Sequence, residues 1–218
     1  MRRSQDSKAV VQALASAALF GASSPASKLL LRQTGPIMMA SLLYLGAGLG
    51  MMLVRSLMSG SAVKEARLGR GDVRWVVAMV LLDVAAPILL MLGLMRTSAS
   101  TASLLLNFEM VATAVIAALL FGEATGRRIQ VSMVMITVAS IMLTLSEGHG
   151  AGLRFSTGAV MVLGACTCWG AENNCTRNLS IKDPSQVVVI KGIGSGAVSL
   201  GLAMVVGERM PGAAQAAG

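Results

Sequence analysis

The chain has 218 residues, 55% of them hydrophobic and only 13% charged, with mean hydropathy +0.72 and a formal net charge of +8. A soluble domain carries about 25% charged residues, so the composition excludes an ordinary soluble fold and points to an all-α polytopic membrane protein. The basic excess, 18 Lys and Arg against 10 Asp and Glu, suits loops facing anionic lipid; with few aromatics and no basic run alternating with them, it does not suit nucleic acid.

Taken in chain order, the sequence predicts about seven transmembrane helices, each near the length that crosses about 30 Å of hydrocarbon: residues 9–31, 36–54, 75–95, 98–121, 129–146, 157–176 and 186–206. The basic start, Met1 to Lys8, leads into an apolar stretch of roughly 20 residues, longer than the ~7–15 of a signal-peptide core, so it reads as an uncleaved first span. That span carries Ser23, Ser24, Pro25 and Ser27. Pro25 cannot donate a backbone bond to Gly21, and such a defect is tolerated in lipid only against protein or a wet cavity. Lys28, near the end of the span, is expected to snorkel to the headgroups. The second span holds Gly46 and Gly50, and the seventh holds Gly192 and Gly196, two GxxxG spacings that suit close helix packing.

The Lys and Arg distribution orients the chain. Arg2, Arg3, Lys8, Arg55, Lys64, Arg67, Arg70, Arg74, Arg127, Arg128, Arg177 and Lys182 fall on one side, and Arg32, Arg96, Arg154 and Arg209 on the other. The N-terminus is therefore expected in the cytoplasm, and residue 218 outside.

An internal repeat accompanies this topology. Phe20-Gly21 and Ser27-Lys28 match Trp169-Gly170 and Thr176-Arg177; Pro36, Gly46 and Gly48 match Pro184, Gly194 and Gly196. In this register Asn173 and Asn174 occupy the places of Ser24 and Pro25. Five spans precede the second copy, so the copies enter from opposite sides, as in the inverted repeats of transporters. Residues 1–148 form a first repeat and 149–218 the first two helices of a second. By the repeat arithmetic three helices are missing, and this chain by itself is expected not to transport.

Three stretches carry a family resemblance: "LFGASSPASKLLL", "GPIMMASLLYLGAGLG" and "APILLMLGLMRTSASTASLLLNFEMVATAVIAALLFGE". They resemble the ten-helix drug/metabolite transporter superfamily, EamA type, and "CWGAENNCTRNLS" with "DPSQVVVIKG" is similar to the start of that family's second half. Met110 stands where the family usually has a helix-4 proline, and Leu43 where it often has a basic residue. The resemblance implies an inverted-repeat permease that exports a small metabolite or amino-acid-like solute across the plasma (inner) membrane by secondary transport.

The residues themselves offer no nucleophile–base pair, phosphate loop or metal set. The one histidine, His149, is in a loop, and Cys166, Cys168 and Cys175 share one span, so neither a cofactor nor a disulfide framework is implied. What stands out is charge within the spans, which is costly and tends to be functional. Asp83 lies four residues before Pro87, where a freed carbonyl adds a second polar group. Glu109 lies near the middle of its span with Thr113 one turn on; a lone carboxylate there is costly to keep ionised and suits proton exchange. Glu172 and Lys191 lie roughly 8–10 Å from the same membrane face at 1.5 Å per residue, within reach of an ion pair. Asn173 and Asn174 offer donors and acceptors to a polar solute. The candidate pathway residues are therefore Ser24, Pro25, Asp83, Glu109, Glu172, Asn173, Asn174 and Lys191.

Two other readings compete. A retinal-type protein could use Lys191 and Asp83 as Schiff base and counter-ion, but the cytoplasmic N-terminus and the scarcity of aromatics argue against it. A non-transporting membrane protein that assembles with a partner chain, or with copies of itself, is the alternative to a permease.

Overall fold

The computed structural model describes residues 2–31, 33–57, 68–146, 156–179 and 182–208. His149, most of the loop after the second span and the C-terminal tail lie outside the described residues. Within them the chain is a bundle of α-helices: α1 (Arg2–Leu30), α2 (Pro36–Leu57), α3 (Val73–Leu94), α4 (Ala99–Leu105), α5 (Phe108–Phe121), α6 (Arg127–Ser146), α7 (Thr157–Arg177) and α8 (Pro184–Val206). Helices α2, α3, α6, α8 and the α4–α5 pair are long and apolar enough to cross a membrane. At 1.5 Å per residue the 22 residues of α2 span about 33 Å. Seven rods result when α4 and α5 are taken together, in keeping with an all-α polytopic membrane protein.

The span expected over 98–121 is broken at Leu106 and Asn107. No proline causes the break. The Asn107 side-chain amide donates to the Leu104 carbonyl at 2.9 Å, and an Asn that bonds its own backbone competes with the helix ladder. At the far end of α5 the chain turns on Gly122 with φ 66°, a left-handed conformation natural to glycine. Side chains cap the starts of α4, α7 and α8. Ser98 Oγ accepts from Thr101 N on α4, and Asp183 Oδ1 accepts from Ser185 N at 2.9 Å on α8, which has Pro184 at its first position.

Two helix pairs dominate the packing, α2 with α8 and α3 with α7; α5 lies against α7, α6 against α5, and α1 mainly on α4. Lipid supplies no hydrophobic drive between helices, so close approach depends on small residues. At the α2–α8 crossing a Cβ on Gly192 would sit 2.5 Å from Gly48 Cα, and one on Gly48 would sit 2.7 Å from the backbone nitrogen of Ile193. The glycine expectation is thus met on α8 and corrected on α2. A Cβ added at Gly46 or Gly50 would meet no atom within 4 Å, and it is Gly48 that makes the contact. The GxxxG spacing selects a face by period alone, whereas the contact face is set by where α8 lies. Ser41 reinforces the crossing by donating to the Gly196 carbonyl at 2.8 Å.

The α3–α7 pair encloses the main apolar core. Leu90, Met91 and Leu94 of α3 meet Ala159, Val162, Ala165 and Cys166 of α7, with Met39, Ala40, Ala102 and Leu105 closing the sides. Gly93 and Gly158 bring the backbones together there, a Cβ on Gly158 falling 2.8 Å from Arg96 C. Because α7 is flanked by α3 and α5, it can carry polar residues that a lipid-facing helix could not.

Candidate functional site

Successive residues on a helix point about 100° apart, so Glu172, Asn173 and Asn174 of α7 reach different neighbours. Glu172 faces α8: its Oε2 lies 2.9 Å from Lys191 Nζ. The expected Glu172–Lys191 pair is therefore present. It has a third charged member, because Lys191 Nζ is also 3.3 Å from Asp83 Oδ2 on α3. Asp83 is 0% exposed and Glu172 1%.

Neutral groups complete this first cluster. Tyr44 of α2 donates to Asp83 Oδ1 at 2.9 Å, and Trp169 Nε1 of α7 donates to the Tyr44 oxygen at 3.1 Å. Trp169 thereby commits the phenol proton to Asp83. Thr176 donates to Glu172 Oε1. Asp83 Oδ2 faces the ammonium without a geometric hydrogen bond, the one such buried side-chain atom among the described residues. Four helices, α2, α3, α7 and α8, each supply a member.

A second polar group lies on the other flank of α7. Asn173 donates from Nδ2 to Glu109 Oε1 at 2.8 Å and to Thr113 Oγ1 at 3.1 Å. Glu109, Thr113 and Asn173 line a cavity of about 440 Å³ together with Met110, Ala117, Glu123, Thr125 and Ile129, between α5, α6 and α7. Glu123 at its rim pairs with Arg177. No ion pair reaches Glu109 among the described residues; its bonded partner is an uncharged amide. Asn107 does not join this group, as its helical position predicts.

Asn174 is buried and its amide serves the backbone, donating to Thr113 O at 3.0 Å and Gly170 O at 2.8 Å. Gly170 permits that approach, since a Cβ there would meet Ala112 Cβ at 2.7 Å. Ser24 is buried and Pro25 exposed on α1; no described hydrogen bond or ion pair joins either to the two clusters. The Lys28 ammonium donates to the Thr97 carbonyl in the turn between α3 and α4.

Sequence reasoning missed Tyr44, Trp169 and Thr176 as partners of Asp83 and Glu172. Thr176 lies one turn from Glu172 and could have been found by i,i+4 spacing. Tyr44 and Trp169 are 125 residues apart, and only the packing brings them together. At the ends of α2 and α8, Glu208 accepts from Met38 N at 2.7 Å and Arg55 pairs with Asp183 at 2.7 Å.

Comparison with known proteins gives three findings. A model of the EamA-like transporter family matches residues 7–145. A protein of Methanothermobacter thermautotrophicus (strain ATCC 29096 / DSM 1053 / JCM 10044 / NBRC 100330 / Delta H), named an uncharacterized transporter, is 27% identical over 189 residues, covering 81% of this chain and 54% of that protein. The chain thus spans about half the length of this curated relative. A protein solved by crystallography is similar in fold, with TM-score 0.59 and 16% identity over 92% of this chain and 70% of the other.

Proposed function

The chain belongs to the EamA-like transporter family, and from that premise we propose that it exports a small metabolite or amino-acid-like solute by secondary transport. The observation that carries this reading is the cavity beside Glu109. It offers a carboxylate, the Thr113 hydroxyl and the Asn173 amide against the apolar side chains of Met110 and Ile129, the mixture of few polar groups and apolar wall typical of small-molecule sites. Glu109 bonds an uncharged amide, so a solute bearing an ammonium group would bring the missing counter-charge. Ser24 and Pro25 of α1 remain candidates for the same route in the matching helix of the first repeat.

The same reading takes 1–148 as the first repeat of an inverted pair and 149–218 as the beginning of the second. Helices α2 and α8 start at the matched prolines Pro36 and Pro184, and they pack on each other, as corresponding helices of two halves do around a shared axis. The cytoplasmic N-terminus and the plasma (inner) membrane belong to the same proposal.

Everted membrane vesicles test it, containing the chain fused to the last three helices of a ten-helix family member, the form expected to transport. Labelled amino acids and small amines are offered from the outside, the former cytoplasmic face. Accumulation of an ammonium-bearing solute is expected, slowed about tenfold by Glu109→Gln as one charge-assisted contact is lost. Flux that is equal in the variant, or absent for every solute, would overturn the reading.

A further inference from the structure

We propose that Asp83 and Glu172 together bind a single exchangeable proton, with Lys191 as their fixed counter-cation. This deepens the transport reading, on which it rests, by naming the coupling ion.

The argument begins with charge. The cluster holds two carboxylates and one ammonium. With both acids ionised its net charge is −1, and with one proton added it is neutral. Asp83 and Glu172 are both almost fully buried, so an uncompensated net charge on them is costly. The groups facing the cluster are Tyr44 from α2, Asp83 from α3, Glu172 and Cys175 from α7 and Lys191 from α8. Among these described groups only Lys191 is cationic, and both described ion pairs of the two acids go to it.

Geometry then identifies where the proton goes. Asp83 Oδ1 is taken by the Tyr44 hydroxyl, whose own oxygen is held by Trp169 Nε1. Both Glu172 oxygens are engaged, Oε2 by Lys191 and Oε1 by Thr176. Asp83 Oδ2 is the buried oxygen that faces the ammonium at 3.3 Å without a hydrogen bond. A proton delivered as hydronium binds there, water leaves, and Lys191 stays with Glu172 at the shorter distance of 2.9 Å. Loss of the proton restores the Asp83 carboxylate, which again draws on Lys191.

The same geometry disfavours a metal ion in this role. A sodium ion bridging the two carboxylates would need the position that Lys191 Nζ already fills. A proton needs no such space. Its arrival weakens the Asp83–Lys191 contact between α3 and α8 and leaves the Glu172–Lys191 contact between α7 and α8 in place.

Infrared difference spectroscopy on the whole chain in lipid bilayers, titrated with pH and without any solute, reads the carboxylic C=O band directly. Beyond the bands that its other acids share with every variant, the wild type is expected to gain the band of one protonated carboxyl as pH falls, unchanged by sodium; comparison with the variants isolates that band. Asp83→Asn and Glu172→Gln should each abolish it, because either leaves a neutral acid–ammonium pair. Lys191→Met should give two protonated carboxyls, because two acids are then left without their counter-cation. The conservative Asp83→Glu, which keeps the charge count, should retain one proton and controls for variants that fail to fold. A band that persists in both Asp83→Asn and Glu172→Gln, or that sodium removes, overturns the proposal. Since no solute is present, an intact proton band beside absent solute flux would refute the transport reading alone.

Discussion

Lys191 Nζ lies 2.9 Å from Glu172 Oε2 and 3.3 Å from Asp83 Oδ2, so one ammonium serves two acids on two different helices. Removing it strands both carboxylates in a buried place, whereas removing Glu172 leaves Lys191 with Asp83. Lys191→Met is therefore expected to cost about 3–5 kcal/mol, and Glu172→Gln clearly less. The double variant Glu172→Gln/Lys191→Met should recover part of the loss. Thermal unfolding in detergent measures all three. Additive losses would mean that the two residues do not interact.

The α2–α8 crossing predicts a sharp contrast between neighbouring glycines. Gly48→Ala places a methyl 2.7 Å from the Ile193 backbone nitrogen, and overpacking of this kind costs about 1–3 kcal/mol. Gly46→Ala meets open space and should leave the unfolding temperature unchanged or raise it slightly. The two melting curves, compared side by side, distinguish these faces of α2.

Topology is open to reporter fusions. The Lys and Arg asymmetry predicts Arg128 in the cytoplasm and the chain's last residue outside. A phosphatase that works only outside should be active when fused after Gly218 and silent when fused after Arg128. The opposite pattern would reverse the orientation.

Asp183, just before α8, gives a pH dependence. Its burial raises the carboxyl pKa, but hydrogen bonds from Gln186 N and Ser185 N and the charge of Arg55 outweigh it, and the net shift is downward from the ordinary 3.8. A depressed folded-state value adds stability above the unfolded value and loses it as pH falls through the folded one. The stability gap between wild type and Asp183→Asn should hold from neutral pH to just above 3.8 and close below it. Unfolding temperatures across that range check this.

Hydropathy made the spans legible, because a bilayer imposes length and apolarity on each one separately. Depth arithmetic made the Glu172–Lys191 pair legible for the same reason: both helices share a membrane face and a short connection. The break at Asn107 was not legible, since it comes from a side chain returning to the Leu104 carbonyl where no proline marks it. Lateral placement was also hidden. Nothing in the spacing of Tyr44, Asp83 and Trp169 says that their helices adjoin, and the same ignorance put the α2 contact at Gly46 and Gly50 instead of Gly48. The second cluster was half legible: Thr113 was seen one turn from Glu109, but Asn173 reaches them only because α5 packs on α7.

Helices α2 and α8 are riveted at three heights: Glu208 on the start of α2, Gly48 against Gly192, and Arg55 with Asp183. They form one stave, and α3 with α7 forms another, around an apolar core that Met39 and Ala40 of α2 help to close. The contacts Tyr44–Asp83, Trp169–Tyr44, Lys191–Asp83 and Lys191–Glu172 all run from one stave to the other. The seam between the two helix pairs is thus where the buried charge is concentrated. Any sliding of one pair past the other would break and remake these ionic and hydrogen-bonded contacts along with the apolar contacts of Met39, Ala40 and Val187, while the Gly48–Gly192 contact between α2 and α8 would stay in place.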